Sequence, residues 1–166
     1  TLFISFALNN IITMSPLIGL SEGYARANES FYASTLVIEL IGSAILSPIM
    51  EELVFRGIVF GNMRKIMNVP QAVFLSALLF GLIHFNIVQF VYAFLLGLVL
   101  AVFMYKSGHV YAAMIGHITA NAFAVIRTET GILKWTVDGS VMAWVVSVMC
   151  LGVGAVIFYY YVKHSE

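Results

Sequence analysis

The chain has 166 residues, 61% of them hydrophobic and 10% charged, and its eight Lys and Arg balance eight Asp and Glu to zero net charge. A water-soluble domain carries about a quarter charged residues and roughly 45–50% apolar ones. The composition therefore excludes a soluble globule and describes an integral membrane protein. Zero net charge gives no electrostatic footprint for a nucleic-acid partner, and the single cysteine, Cys150, cannot close an internal disulfide.

A membrane-spanning helix needs about 20 mostly apolar residues. Such segments recur at roughly 1–20, 31–60, 70–86, 89–105, 108–126 and 140–162. They predict an all-α, polytopic transmembrane helix bundle of about six membrane segments, in a single integral-membrane domain over 1–166. The first segment is interrupted by Asn9 and Asn10. The second is too long for one simple span, and Pro48 inside it predicts a kink or a span with an amphipathic continuation. SEGYARANES, GNMRKIMNVP, a turn near Asn86, YKSGH and RTETGILKWTVDGS read as connections.

With six spans, Arg64, Lys65, Lys106 and Lys163 fall on one side, and Arg26, Arg127 and Lys134 on the other. This weak bias places both termini in the cytoplasm. The chain begins at Thr1 rather than methionine, which leaves room for upstream segments, and no signal-peptide pattern is visible there. Gly57 and Gly61 make a small-xxx-small pair whose plain reading is close helix packing.

Against this apolar background a few polar side chains stand inside the segments: Glu39, Glu51, Glu52, Arg56, His84, His117 and Asn121. Each ionisable group in hydrocarbon costs about 2.5–3.5 kcal/mol or more, so such residues face a cavity or a partner. Glu52 and Arg56 are four apart, share a helix face and can pair. Glu51 projects about 100° away, toward a different neighbour. Two adjacent carboxylates cannot both ionise cheaply in a low dielectric, an arrangement that suits one of them to accept a proton. His117 and Asn121 are likewise four apart and point into a common space, and His84 closes the run VFLSALLFGLIH.

Depth is consistent with a meeting of these groups. At ~1.5 Å per residue, Glu51 lies ~15 Å from the segment end near Gly61, His117 ~14 Å from Gly108, and His84 ~21 Å from Pro70, a spread that modest tilts remove. Glu39 lies ~18 Å further along its helix and reads as a packing or lining residue.

A buried base, imidazoles and an amide donor suggest hydrolysis within the membrane. Aspartyl chemistry needs two aspartates, and the chain has only Asp138, in a connection. The H-E-x-x-H motif of metalloproteases is absent. Ser76 has no G-x-S-x-G context, and Cys150 has no activating neighbour in the sequence. Glutamate remains as the base, with water as the nucleophile.

EELVFR (Glu51, Glu52, Arg56), FGLIH (Phe80, His84) and HITAN (His117, Asn121) together resemble three motifs of one family. These are the E-E-x-x-x-R, F-x-x-x-H and H-x-x-x-N signatures of the CPBP family, the CAAX-protease and bacteriocin-processing (Abi) intramembrane endopeptidases. The resemblance covers residues 51–121 and implies a catalytic core at 47–126. It implies that Glu51 and His84 activate water, that His117 and Asn121 stabilise the oxyanion, and that Glu52 and Arg56 orient these groups or seat the substrate. A zinc-dependent version of the family would use a glutamate with His84 and His117 as ligands and keep a water position open. The metal-free, cofactor-free version is preferred because no carboxylate is evident in the sequence to orient the histidines.

The expected protein is thus a multi-pass cell-membrane endopeptidase. Its partners would be the lipid bilayer and a membrane-embedded or lipid-associated peptide or protein substrate. Two alternatives are a catalytically idle binding or bacteriocin self-immunity protein and a small transporter using Glu39, Glu51 and Glu52. The transporter predicts polar residues strung across the full membrane depth, whereas these cluster.

Overall fold

A computed structural model describes residues 1–165. Among them the chain is helical throughout, with no strand. The helices are α1 (Leu2–Met14), α2 (Glu22–Phe31), α3 (Leu36–Ile66), α4 (Val69–Leu82), α5 (Ile87–Ser107), α6 (Val110–Thr130) and α7 (Val141–His164), with 3₁₀ turns at Pro16–Leu20 and Lys134–Val137.

Local chemistry sets the boundaries. Asn68 and Gln71 form a capping box that starts α4, with Pro70 in its first turn, where no donor is missed. The Asn86 side chain accepts from the Gln89 amide to start α5, and Ser140 accepts from the Ala143 amide to start α7. Gly108 and Gly131, at φ 70° and 69°, end α5 and α6 in the left-handed conformation that glycine adopts without strain.

The helical multi-pass architecture follows the apolar pattern, but the spans differ in length. Helices α5, α6 and α7 are long and apolar enough to cross a membrane, and the bent pair α2 and α3 qualifies jointly, so the described residues hold three to four such crossings rather than six. The apolar runs at the first and third predicted segments form helices of only 13 and 14 residues, about 20 Å long against a ~30 Å hydrocarbon core.

Other expectations are corrected. SEGYARANES is not a loop: Ser21 caps it, Glu22 sits in the first turn, and it forms α2. Between α2 and α3 the chain bends by 109°. This reversal lies ahead of Pro48, and α3 continues through the proline. Two π-helical stretches, Leu40–Leu46 and Leu53–Phe60, absorb the irregularity on either side of it. Nor do Gly57 and Gly61 pack against another helix, since a Cβ there would meet only backbone of α3 itself, at 4.0 and 3.9 Å.

Within the bundle, α4 packs on α5, α5 on α6, α3 on α6, and α1 on α7. Small apolar clusters fill the seams: Phe60, Ala72, Val73 and Ala101 join α3, α4 and α5, while Leu96, Leu100, Ala113 and Ala120 join α5 and α6. Outward, α7 exposes Val141, Met142, Val145, Val148, Met149 and Val156. Such a surface needs lipid rather than water around it.

Asn9 and Asn10, which interrupt the first apolar segment, also have a structural explanation. Asn10 is fully buried; its amide donates to Ser147 Oγ (3.1 Å), and its Oδ1 accepts from Arg127 Nη1 (2.6 Å). Arg127, assigned to a loop from its sequence, instead lies buried on α6. It also donates to Thr136 Oγ1 (3.0 Å) and stacks over the Phe6 ring (5.1 Å).

Candidate active site

The polar residues singled out in the sequence come from α3, the end of α4 and α6. The centre is Glu52, whose side chain has no exposure at all. Its Oε1 accepts from Arg56 Nη1 at 2.9 Å and lies 2.8 Å from His117 Nδ1. Arg56 is equally buried; its Nη2 donates to the Gly97 carbonyl of α5 (3.0 Å), and its guanidinium lies 4.5 Å from the Phe80 ring centroid. A lone arginine or glutamate at this depth would be very costly, and the pair with its extra hydrogen bonds makes both tolerable. Among the buried polar atoms, Glu52 Oε2 and Arg56 Nε have no partner.

Glu51 faces elsewhere, as its neighbouring helical position requires. Its side chain is 25% exposed, it accepts from Ser47 Oγ at 2.6 Å, and its Oε2 lies 3.8 Å from His117 Nε2. His117 is thereby held between the two glutamates. Since Glu52 is tied to a guanidinium and acts as an acceptor, Nδ1 of His117 carries the hydrogen, and Nε2 is the nitrogen turned toward Glu51.

His84 follows the last turn of α4, and Phe85 beyond it takes φ 54°. This left-handed residue lets the chain turn back into α5 within four residues. His84 Nδ1 lies 3.0 Å from the Phe80 carbonyl. A carbonyl can only accept, so Nδ1 is the donor, and Nε2 of neutral His84 presents a lone pair. The Phe80 ring stands edge-on to both histidines, with centroids at 5.3 Å (His84) and 5.6 Å (His117).

Glu51, His84, His117 and Asn121 all line one cavity of about 280 Å³, together with Ser43, Ser47, Tyr24, Asn28 and Tyr32. A neighbouring cavity of about 530 Å³ shares Asn9, Tyr24, Asn28, Tyr32 and Tyr92 and reaches Arg127 and Lys134. The first volume holds several waters at ~30 Å³ each. Asn121 Nδ2 donates to the Ser43 carbonyl across the α3–α6 seam (3.1 Å). Glu39 is buried away from both cavities, its carboxylate oxygens without hydrogen-bond partners, which fits packing rather than lining.

Two residues that matter here went unremarked in the sequence. Ser47 holds Glu51, and its only signal is the four-residue spacing. Gly97 lets Arg56 reach the α5 backbone, since a Cβ there would lie 3.1 Å from Arg56 Nη2 and from the Phe80 ring; nothing in the sequence marks it. The histidines are also better oriented than the sequence reading allowed. The Glu52 carboxylate and the Phe80 carbonyl supply outer partners that the sequence does not show. Among the described residues, no three His, Cys, Asp or Glu side chains are grouped closely enough to hold a metal ion.

The fold and this cluster define a multi-pass helical membrane protein with a carboxylate–histidine centre set among its helices. The chain belongs to the type II CAAX prenyl endopeptidase Rce1-like family, whose family model matches residues 33–123 and so takes in all three motifs. It is also similar to the Bacillus subtilis (strain 168) protein named "Putative membrane peptidase YdiL", with 28% identity over 109 residues. That match covers 63% of this chain and 45% of the relative, so the chain matches less than half of the relative's length. No solved structure matches the chain significantly.

Proposed function

We propose that this protein is an intramembrane endopeptidase that hydrolyses a peptide bond of a membrane-associated peptide or protein, with its catalytic core at 47–126 of a single domain. The observation that carries this reading is the convergence of Glu51, His84 and His117 from three separate elements on one cavity of about 280 Å³ inside an apolar bundle. A scaffold that only binds has no need of two oriented imidazoles beside a carboxylate. A transporter using Glu39, Glu51 and Glu52 needs them along one path, whereas Glu39 and Glu52 are buried and only Glu51 lines the cavity.

In this mechanism a water in the cavity is held by the Glu51 carboxylate and His84 Nε2. One of these takes its proton as the oxygen attacks the peptide carbonyl carbon, and the proton is then passed to the departing amide nitrogen. Negative charge on the carbonyl oxygen is met from the α6 side by His117, which donates from Nε2 when both ring nitrogens carry a proton, Nδ1 staying on Glu52. A single such donor is worth about 3–4 kcal/mol in the transition state. Glu52 fixes the His117 ring, and Arg56 holds Glu52 and ties α3 to α5 through the Gly97 carbonyl. Family membership and the resemblance to a membrane peptidase support this assignment.

The test compares peptides and membrane-protein fragments released by cells making the wild type or Glu51→Gln at matched membrane levels. The variant keeps the shape and removes the base. Fragments that fall by about 100-fold or more support the assignment and identify substrates, whereas identical profiles overturn it.

A further inference from the structure

The hydrogen bond between Asn121 and Ser43 has a cause in the backbone of α3. In the π-helical stretch Leu40–Leu46, amides reach back five residues rather than four, and the Ser47 amide accordingly donates to the Gly42 carbonyl. In this register the Ser43 carbonyl waits for the amide of residue 48. Residue 48 is proline, which has no N–H. The Ser47 amide, the α-helical alternative for Ser43, is already committed to Gly42. The Ser43 carbonyl, part-buried on the cavity wall, is therefore left without a backbone donor, and a carbonyl withdrawn from bulk water seeks another partner. Asn121 Nδ2 fills that place from α6 at 3.1 Å.

We infer that Asn121 is a positioning residue: its amide replaces the N–H that Pro48 lacks and thereby locks α3 to α6 in the register that sets the Glu51–His117 pair. The geometry gives the lock its reach. Ser43, Ser47 and Glu51 follow one another at four-residue intervals along α3, and Ser47 Oγ hands the position on to Glu51 Oε1 at 2.6 Å. On α6, His117 stands one turn before Asn121. Two rungs thus join the helices, Asn121 to Ser43 and His117 to Glu52. With both in place, the 3.8 Å approach of His117 Nε2 to Glu51 Oε2 does not depend on loosely packed side chains alone.

Pro48 has a use in this arrangement. An ordinary residue at 48 would satisfy Ser43 within its own helix and leave nothing for α6 to grip. Removing one intrahelical donor turns a helix carbonyl into an interhelical one. Asparagine suits the partner position because a short amide can donate from a helix face, whereas an ionised carboxylate of the same shape cannot. This assigns Asn121 a different task from donation to the reacting carbonyl, and it rests on the proposed peptidase reading only for the activity part of its test.

The test is a double-mutant cycle on the full chain: wild type, Pro48→Ala, Asn121→Ala and the double variant. Each is read by fragment release from cells at matched membrane levels and by thermal melting in detergent micelles. Asn121→Ala leaves the part-buried Ser43 carbonyl without its donor and releases α3 from α6, and is expected to lower fragment release by about tenfold or more and to reduce the melting temperature. Pro48→Ala restores the missing N–H, so the double variant should recover to within about threefold of Pro48→Ala alone, a coupling that independent sites do not show. Should Asn121→Ala fail to accumulate in membranes, recovery of accumulation on adding Pro48→Ala is the same result. A double variant that melts like Pro48→Ala yet stays as inactive as Asn121→Ala would mean that Asn121 acts on the substrate, and the inference falls. Additive melting changes would also overturn it. If no fragments depend on Glu51 at all, the peptidase reading fails, while the coupling in melting temperature still decides this one.

Discussion

Glu51 and Glu52 are neighbours in the chain and opposites in environment. Glu52 is sealed in, with Arg56 Nη1 at 2.9 Å and His117 Nδ1 at 2.8 Å, whereas Glu51 is partly exposed to the cavity and accepts from Ser47. Their substitutions should separate accordingly. Glu52→Ala leaves a guanidinium buried without its counter-charge, a loss of about 3–5 kcal/mol, to be seen as a large drop in melting temperature in detergent micelles. Glu51→Gln should cost less than about 1 kcal/mol by the same measurement, because Ser47 Oγ can donate to the amide oxygen, while abolishing fragment release. Equal stability losses from the two variants would show that the division of labour between the glutamates is mistaken. The four-residue spacing of Glu52 and Arg56 made their pairing readable from the sequence. That the same Glu52 oxygen also meets His117 was not readable, because it depends on how α6 crosses α3.

Helix α3 carries most of the chemistry and most of the irregularity. Its two π-helical stretches flank Ser47–Glu52, the first ending before Pro48 and the second beginning immediately after Glu52. Such segments redirect side chains that a uniform helix would space at 100°. The sequence pointed to irregularity at Pro48 but could not say that it would be absorbed by π-helical pairing and an asparagine on another helix. Helix α5 contributes through its backbone. Gly97 offers its carbonyl to Arg56, and a methyl group there would stand 3.1 Å from both the guanidinium and the Phe80 ring and 3.2 Å from Ala77 Cβ. Gly97→Ala should therefore push Arg56 off its acceptor and cost about 1–3 kcal/mol, read as a lower melting temperature. A variant as stable as the wild type would mean that the ring and guanidinium shift freely. By contrast, Gly57→Ala meets nothing closer than 4.0 Å, and the gain in helix propensity should leave it neutral or slightly stabilising.

At the scale of the whole molecule, a second polar knot ties the bundle together away from Glu51. Arg127 of α6 reaches Asn10 of α1 and Thr136 of the turn before α7, and Asn10 in turn binds Ser147 of α7. This explains why an apolar first segment tolerates Asn10, while Asn9 beside it lines the cavities. Arg127→Met leaves the buried Asn10 oxygen and the Thr136 hydroxyl short of a donor, at about 1–3 kcal/mol. The expected result is a melting temperature several degrees lower than that of Lys65→Met, which removes a cation from the exposed end of α3. If the two variants melt alike, the knot is not holding α1, α6 and α7 together.

The sequence by itself determined that this is a helical, multi-pass membrane protein, because 61% hydrophobic residues in long runs have no other stable arrangement in water or lipid. It also identified the residues of the polar cluster, since charge and imidazole are rare and expensive in hydrocarbon and stand out by composition alone. The tertiary structure decided which glutamate is sealed and which is open, which helices reach full membrane length, and where Arg127 goes. It also gave Asn121 its bond to Ser43. These depend on distances between segments far apart in the chain, set by helix crossing and by the backbone acceptors that π-helical turns, a proline and a close-packed glycine leave available. A one-dimensional pattern of polar and apolar residues records the cost of burying a group, but not the partner that meets it.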